Sequence, residues 1–439
     1  MDRRPFASVG FFEHCEAEFT QPDRYRWLFD LPKDREFIPH GSGLSLAGAG
    51  FGPDSMVVGM RHFNRILEFD PETRILHAEA GITLAKLYEF LTPQGFIVAV
   101  QPGYPDITLG GCIAGNVHGK NQYKAGCFSD IVQEITLYHP KKGLLTIAAN
   151  QQAELFNLTC GGFGLTGIIV SAKIRLDLLT GRKVSLSHYP VKDIKEAVTL
   201  MTANQEEHDF MYSWHDIAQF GPSMGRGFVV SGTTSKENGY GPKRIIVSHP
   251  TAKSFHRPYP LPVFNRFSLQ ISNSFYYHKN CGSKKTEGLF ESLFPFVNLM
   301  AYFKAYGPQG FIEHQVLIPD NNIFAYLDHF AKMVRDWKQP FGLASIKKMA
   351  GEQTLLRYSG NGIGISLHLP TTKKSLPFLS ELDQLNSEHG GVTNPLKDPR
   401  LSAAVLRQQF KEFDLFQRQL TTFDPDRLFT SSLSQRLEL

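Results

Sequence analysis

Gly103-Tyr104-Pro105-Asp106-Ile107-Thr108-Leu109-Gly110-Gly111-Cys112-Ile113-Ala114-Gly115-Asn116-Val117-His118-Gly119-Lys120-Asn121 is the stretch on which the reading of this chain turns. It is flanked by two further glycine-dense segments, Pro39-His40-Gly41-Ser42-Gly43-Leu44-Ser45-Leu46-Ala47-Gly48 and Gly161-Gly162-Phe163-Gly164-Leu165-Thr166-Gly167. Glycines without a Cβ let backbone N–H groups converge on an anion, and they tolerate positive φ. Two such loops could bracket a pyrophosphate, with the hydroxyls of Ser42, Ser45 and Thr108 as extra donors. Taken singly, each segment reads equally well as a tight turn. There is no GxxxxGK[ST], and no GxGxxG between a strand and a helix with an acidic residue about twenty positions on, which excludes a P-loop and a Rossmann site.

Around these loops the first 180 residues read as short strands with few helices. Strands are expected at 55–60, 66–69, 75–80, 96–100, 131–138 and 167–176, with Lys141-Lys142-Gly143 as a hairpin turn. Thr83 is placed to cap a helix through Leu91, whose apolar Leu84, Leu87, Tyr88 and Leu91 recur at helical spacing, and Gly95 stops it. From about Lys183 the texture changes. Helices are expected at 193–205, 322–337, 375–389 and 402–420, and strands at 227–233, 243–248, 310–318 and 363–369. Residues 256–262, rich in proline, cannot be regular. The middle block thus reads as a sheet with helices on one side, in an α+β chain.

The 439 residues suffice for two domains. The net charge of +4 comes from 46 basic and 42 acidic side chains, too balanced for a nucleic-acid binder. Five cysteines, Cys15, Cys112, Cys127, Cys160 and Cys281, are scattered and odd in number, so neither a metal site nor a disulfide framework is expected. No stretch approaches 18 apolar residues, and Met1-Asp2-Arg3-Arg4-Pro5-Phe6 leads into no apolar run. The expectation is a cytoplasmic protein without signal peptide or transmembrane helix. The 35 phenylalanines fit a Phe-rich core or an apolar groove for a lipid or aromatic substrate.

Together the three glycine segments, in the order glycine loop, LGG segment and GGxGLTGII strand, resemble the FAD-binding domain of the vanillyl-alcohol-oxidase and p-cresol-methylhydroxylase superfamily. Within it the chain is most similar to the decaprenylphosphoryl-β-D-ribose 2-oxidase family. That resemblance rests on His118-Gly119-Lys120-Asn121, Gly161 to Ile169, Ala305-Tyr306-Gly307-Pro308-Gln309-Gly310-Phe311, Lys397-Asp398-Pro399-Arg400, and the closing Phe423-Asp424-Pro425-Asp426-Arg427-Leu428-Phe429 with Arg436-Leu437-Glu438-Leu439.

The resemblance implies a two-domain α+β flavoprotein. Residues 1–180 would form a PCMH-type FAD domain of two small α/β subdomains. Residues 181–391 would form a substrate domain with an antiparallel sheet flanked by helices, and 392–439 would return to the FAD domain. FAD would be held by His40, Gly41, Ser42, Gly43, Leu44, Ser45, Gly103, Thr108, Leu109, Gly110, Gly111, His118, Gly119, Lys120, Asn121, Ile169 and Asn394. Leu44 stands near where relatives attach the flavin to histidine, and it has no nucleophile, so the flavin is expected to be dissociable. The family's Arg-Ser-Tyr-Gly-Asp reads Leu44-Ser45-Leu46-Ala47-Gly48 here, leaving Ser45 and backbone donors for the phosphates.

His118 and Lys120 would contact the isoalloxazine and substrate, Lys120 stabilising negative charge near N1. Lys397 would accept a proton from the sugar hydroxyl if burial or a neighbouring cation lowers its pKa towards 7 to 8. Trp214, Tyr306, Glu313, Gln315, Lys348 and Ser366 would line the substrate cavity. Ser366 replaces a cysteine that nitroaromatic inhibitors modify in relatives. The implied reaction is oxidation of a secondary alcohol on a sugar, as the first half of an epimerisation with an NADH-dependent short-chain reductase as partner. A polyprenyl-phosphate-linked pentose is the implied substrate. Residues 255–296 would then be a mobile lipid-facing lid or a disordered insertion, and any membrane contact would be peripheral, at the inner face, through that lid or Lys284-Lys285. A soluble aldonolactone or alditol oxidase, though no HWGK is present, and a flavin-binding module without catalysis are the other readings.

Overall fold

Met56–Gly59 is buried along its whole length and pairs in parallel with strands on both sides, as its unbroken apolar run requires. The computed structural model describes residues 2–219, 221–235, 258–297 and 299–439. The sheet built on that strand runs Asp2–Ala7, His14–Thr20, Met56–Gly59, Phe37–His40. Phe37–His40 ends at Gly41, so the first glycine loop starts at the carboxyl end of a parallel strand.

A second sheet has the order Ile66–Asp70, Ile75–Glu79, Ile168–Leu178, Val132–His139, Gly143–Ile147, with Phe96–Val98 also paired to Ile168–Leu178. The helix Leu84–Leu91 lies where its apolar spacing predicts. Thr83 caps it by accepting from the Lys86 amide at 3.3 Å, and Gly95 at φ +83° ends the following turn. The expected hairpin joins Val132–His139 to Gly143–Ile147. Sequence reading missed Asp2–Ala7 and His14–Thr20, whose exposed and half-buried residues carry no clean alternation.

In the middle block the expected single sheet is two four-stranded antiparallel sheets. One runs Phe210–His215, Gly227–Thr234, Lys183–Val191, Lys284–Gly288; the other runs Leu343–Met349, Gly362–Pro370, Phe311–Pro319, Val392–Thr393. Their edges meet where the Ile346 amide donates to Ser213 Oγ at 3.3 Å. The helices Ile194–Asn204, Ile323–Trp337 and Ser375–Glu388 cover one face of both, packing Val198, Met201, Tyr326, Phe330, Phe378 and Leu382 on Ile312, Val316, Ile346 and Ile365. Because strand side chains alternate, the intervening residues are turned to the opposite face, towards the glycine loops.

Two expectations are corrected here, the disordered insertion at 255–296 and the single helix at 402–420. The stretch 258–296 carries regular structure: the helix Arg266–Asn280, the strand Lys284–Gly288 and the helix Leu289–Leu293. Asn265 starts the first of these by accepting from the amides of Phe267 and Ser268. The helix expected over 402–420 is two, Ala403–Gln409 and Phe413–Phe423, broken where Phe410 turns to extended backbone. That break lets Phe410 and Phe413 both be buried. The strand expected at 243–248 and residues 255–257 lie outside the described residues. The C-terminal segment packs on the first sheet, where the Phe37 amide donates to Leu428 O at 2.7 Å and the Thr430 amide to Phe37 O at 3.0 Å.

Candidate active site

A cavity of about 740 Å³ opens between the glycine loops and the free face of the two sheets, within the range of small-molecule sites. On one side lie His40 to Ser45, Gly103, Thr108, Gly110, Gly111, Gly164, Gly167 and Ile169. Thr108 caps the short helix Leu109–Ala114 by accepting from the Gly111 amide at 3.2 Å. Gly110, Gly111 and Ala114 face the cavity, whereas Leu109, Cys112 and Ile113 fill the core beneath. Leu109, expected at the cofactor, is therefore a packing residue: its position on the helix turns it away.

Close approach explains the glycine at 41. A Cβ there would stand 2.5 Å from Thr108 Oγ1, so a side chain would wedge the two loops apart. Among the described residues, the backbone amides of Ser42, Gly43, Leu44 and Ser45 donate to no protein acceptor. They form a cradle of free donors suited to phosphate oxygens. The Ser45 hydroxyl, expected to serve the phosphates, is turned inward and accepts from the amides of Ala47 and Ala49 at 3.2 and 3.1 Å. Gly41→Val is expected to yield folded protein with far less than one flavin per chain, measured by the 450 nm to 280 nm absorbance ratio; full loading would show that the loops need not touch.

The tetrad His118 to Asn121 alternates. His118 and Lys120 line the cavity. Gly119 and Asn121 point back, Asn121 Nδ2 donating to Ala99 O at 2.9 Å and Gly119 lying too close to Gln101 O to carry a Cβ. These two, expected at the cofactor, shape the extended loop that presents the others. Lys120 Nζ donates to Ser292 O at 2.7 Å and sits 4.5 Å from the Tyr212 ring centroid. Burial, then the nearby Lys347 cation, brings Lys120 down to about 7. Burial, Lys347 and Lys397 lower His118 to about 3, so its imidazole is neutral at physiological pH.

On the sheet side, strand register builds a grid. Glu313 lies opposite His368, Gln315 opposite Ser366, and Ser345 opposite Ser366 from the other flank. Gln315 Nε2 donates to Ser366 Oγ at 2.9 Å, and Asn394 Nδ2 donates to Gln315 Oε1 at 2.7 Å. Lys397 Nζ is 3.2 Å from Glu313 Oε2, and His368 Nε2 is 3.4 Å from the same oxygen. Tyr302 OH bonds to His368 Nδ1 at 2.9 Å and to Tyr306 OH at 2.7 Å. Burial alone would raise the Glu313 carboxyl, but the Lys397 cation and the His368 hydrogen bond hold it well below the usual carboxylate range. Trp214 lines the same cavity, stacked on Phe228.

Two expected cavity residues give way to near neighbours in the chain. Lys348 points to the opposite face of its strand and pairs with Asp320, while Lys347 enters the cavity. Adjacent strand residues face opposite ways, so a one-residue slip exchanges them. Tyr306 lies just past the helix Met300–Lys304 and is buried behind Tyr302, which lines the cavity four residues earlier. Lys347 is brought down to about 8 by burial and then by the Lys397 cation. His368, Tyr302 and Lys347 were missed. His368 alone was legible, two residues beyond Ser366 on an expected strand.

Residues 32–147 match the FAD binding domain family. Over 92% of its length the chain is 26% identical to decaprenylphosphoryl-β-D-ribose oxidase of Mycolicibacterium smegmatis, covering 90% of that protein. It is 27% identical to the mitochondrial L-galactono-1,4-lactone dehydrogenase of Brassica oleracea over 43% of this chain and 31% of that one. It is 25% identical to L-gulonolactone oxidase of Scyliorhinus torazame over 46% of each. With an FAD binding domain at residues 32–147, a donor-lined loop cradle and a likeness spanning nearly its whole length, the chain is an FAD-dependent oxidoreductase related to decaprenylphosphoryl-β-D-ribose oxidase.

Proposed function

We propose that this enzyme oxidises a secondary alcohol on a sugar to the keto-sugar, and that its substrate is the 2-hydroxyl of a polyprenylphosphoryl pentose. The observation that carries this reading is the composition of the cavity on its sheet side. Polar Gln315, Ser366, Asn394, Glu313, Lys397 and Lys347 meet there, and the wall then becomes apolar through Leu269, Phe275, Tyr276, Phe296 and Leu299. A sugar matches the first part and a hydrocarbon chain the second.

FAD would be held by the amides of Ser42–Ser45 and the Thr108–Gly111 turn, with His118 and Lys120 beside it, and it supplies a two-electron acceptor when bound. Lys120, brought down to about 7, presents N–H donors in either protonation state to the negative charge that develops on the acceptor. Lys397 is ion-paired with Glu313 at 3.2 Å. It positions the sugar hydroxyl, and Lys347 takes the proton, since burial brings its pKa close to neutrality. This reassigns the base from Lys397. The keto-sugar would pass to an NADH-dependent short-chain reductase to complete an epimerisation, on the cytoplasmic side of a membrane that holds the lipid-linked substrate.

Anaerobic mixing with a panel of sugars tests the reading. Bleaching of the flavin by a polyprenylphosphoryl pentose but not by the free pentose supports it. Bleaching by an aldonolactone instead favours the lactone oxidase reading, consistent with the partial likeness to such enzymes. No bleaching by any sugar would leave a flavin-binding module. Because Leu44 offers no nucleophile, acid precipitation is expected to release all of the yellow colour; colour retained in the pellet would show a covalent link elsewhere.

A further inference from the structure

The helix Arg266–Asn280 buries Leu269 and Asn273 but leaves Phe267 72%, Ile271 57% and Phe275 70% exposed, at i, i+4 and i+8. Leu261, 74% exposed, and Val263, 50% exposed, extend that apolar surface before the helix begins, and Leu299 adds to it. Three large side chains on successive turns of one helix face form a patch rather than scattered exposure. The helix carries no carboxylate; its charged residues are Arg266 and Lys279, with His278 beside the latter. Lys284 and Lys285 follow a short turn after it, both exposed, with Lys285 paired to Glu287 at 2.6 Å. An apolar stripe with basic residues at its ends is the pattern of a helix lying in a bilayer interface containing anionic lipid. Among the described residues no helix is long and apolar enough to cross a membrane.

The stripe is continuous with the active-site cavity. Leu269, Ser272, Asn273, Phe275 and Tyr276 of this helix line the cavity, as do Phe296 and Leu299. We propose that the helix Arg266–Asn280 docks on the surface of an anionic lipid bilayer, inserting Phe267, Ile271 and Phe275 so that the cavity mouth faces the membrane. The partner is the membrane itself, in the plane from which a hydrocarbon-linked sugar would enter. The purpose of the docking rests on the lipid-linked reading above, whereas the docking can be measured without substrate.

The experiment uses the flavin-loaded full chain and sonicated vesicles of phosphatidylcholine alone or with one third phosphatidylglycerol. Phe267→Glu and Ile271→Glu, singly and together, are compared with the wild type by flotation. The wild type is expected to float with the mixed vesicles, at least tenfold more tightly than the double variant, and to lose affinity in high salt. A Phe267→Trp variant is expected to show a blue-shifted emission on adding the mixed vesicles. Failure of the wild type to float, or equal flotation of the double variant, overturns the proposal. So does a concentration-dependent dimer abolished by the glutamates, which would make the stripe a contact between copies. If flotation is seen but only free sugars bleach the flavin, the docking stands and the lipid-linked substrate falls.

Discussion

Replacing Lys347 by methionine is expected to slow anaerobic reduction of the flavin by substrate by about 10²- to 10⁴-fold, the usual contribution of a positioned general base. Lys348→Met should leave the rate within roughly twofold, because Lys348 faces the other side of the sheet, where it pairs with a half-exposed Asp320 and such pairs contribute little. The pH profile separates a base from a positioning residue. Lys347, lowered to about 8, gains its lone pair as pH rises through that value. The wild-type rate should climb up to about pH 8 and level off above it. The Lys347→Met rate should be flat over the same range. Equal rates for the two methionine variants, or a pH limb that survives in Lys347→Met, would sink the assignment and return the base to Lys397. Flavin content, read from the visible spectrum, must stay at the wild-type level for the comparison to hold.

The glycine loops were legible because their chemistry is local. Gly110 and Gly111 lie at the cavity on a short helix capped within a few residues by Thr108, and the clustered glycines around Gly41 mark a loop whose reason, close approach to Thr108, only the fold supplies. Gln315, Ser366 and Glu313 came from the family resemblance, and their place on one face of adjacent strands brings them together at the cavity. Lys347 was not legible, since the strand Leu343–Met349 opens on two apolar residues and then carries two consecutive lysines, so its sequence shows no clean alternation. Nothing in Lys347-Lys348 alone says which one faces inward; pairing with Gly362–Pro370 decides it. Tyr302 and Tyr306 pose a like problem: they lie four residues apart, and the helix Met300–Lys304 ends between them. The amphipathic helix Arg266–Asn280 was hidden by inverted polarity: its large apolar residues lie outside, so its pattern does not resemble that of a helix packed on a core.

Arg400→Met is expected to cost about 3 to 5 kcal/mol of stability, the range for removing one partner from a buried charge cluster. Arg400 reaches Asp383 with both terminal nitrogens, at 2.5 and 2.8 Å, and Asp398 at 3.0 Å. Asp398 also accepts from His314 Nδ1 at 2.8 Å, and His314 Nε2 meets Asn386 Nδ2 at 3.0 Å. Without the guanidinium, two buried carboxylates face each other with no cation between them. Arg400→Lys should recover only part of the loss, because one ammonium cannot reproduce the fork to Asp383 and still reach Asp398. Burial by itself would raise the Asp398 pKa, but Arg400 and His314 lower it below 3.8. That contribution is therefore fully present above the unfolded value near 4 and is lost as pH falls through the lower folded one. The wild type should lose stability on acidification over that window, and the Arg400→Met variant should lose less of it, read as urea midpoints at a series of pH values. A midpoint for Arg400→Met unchanged from wild type at pH 7 would show that the cluster is not holding the segment. Lys397 immediately precedes Asp398, so the same anchor that fixes the C-terminal segment to the middle block also aims the lysine at Glu313. A variant that retains its fold but loosens this anchor should raise KM for the sugar before it changes the flavin spectrum.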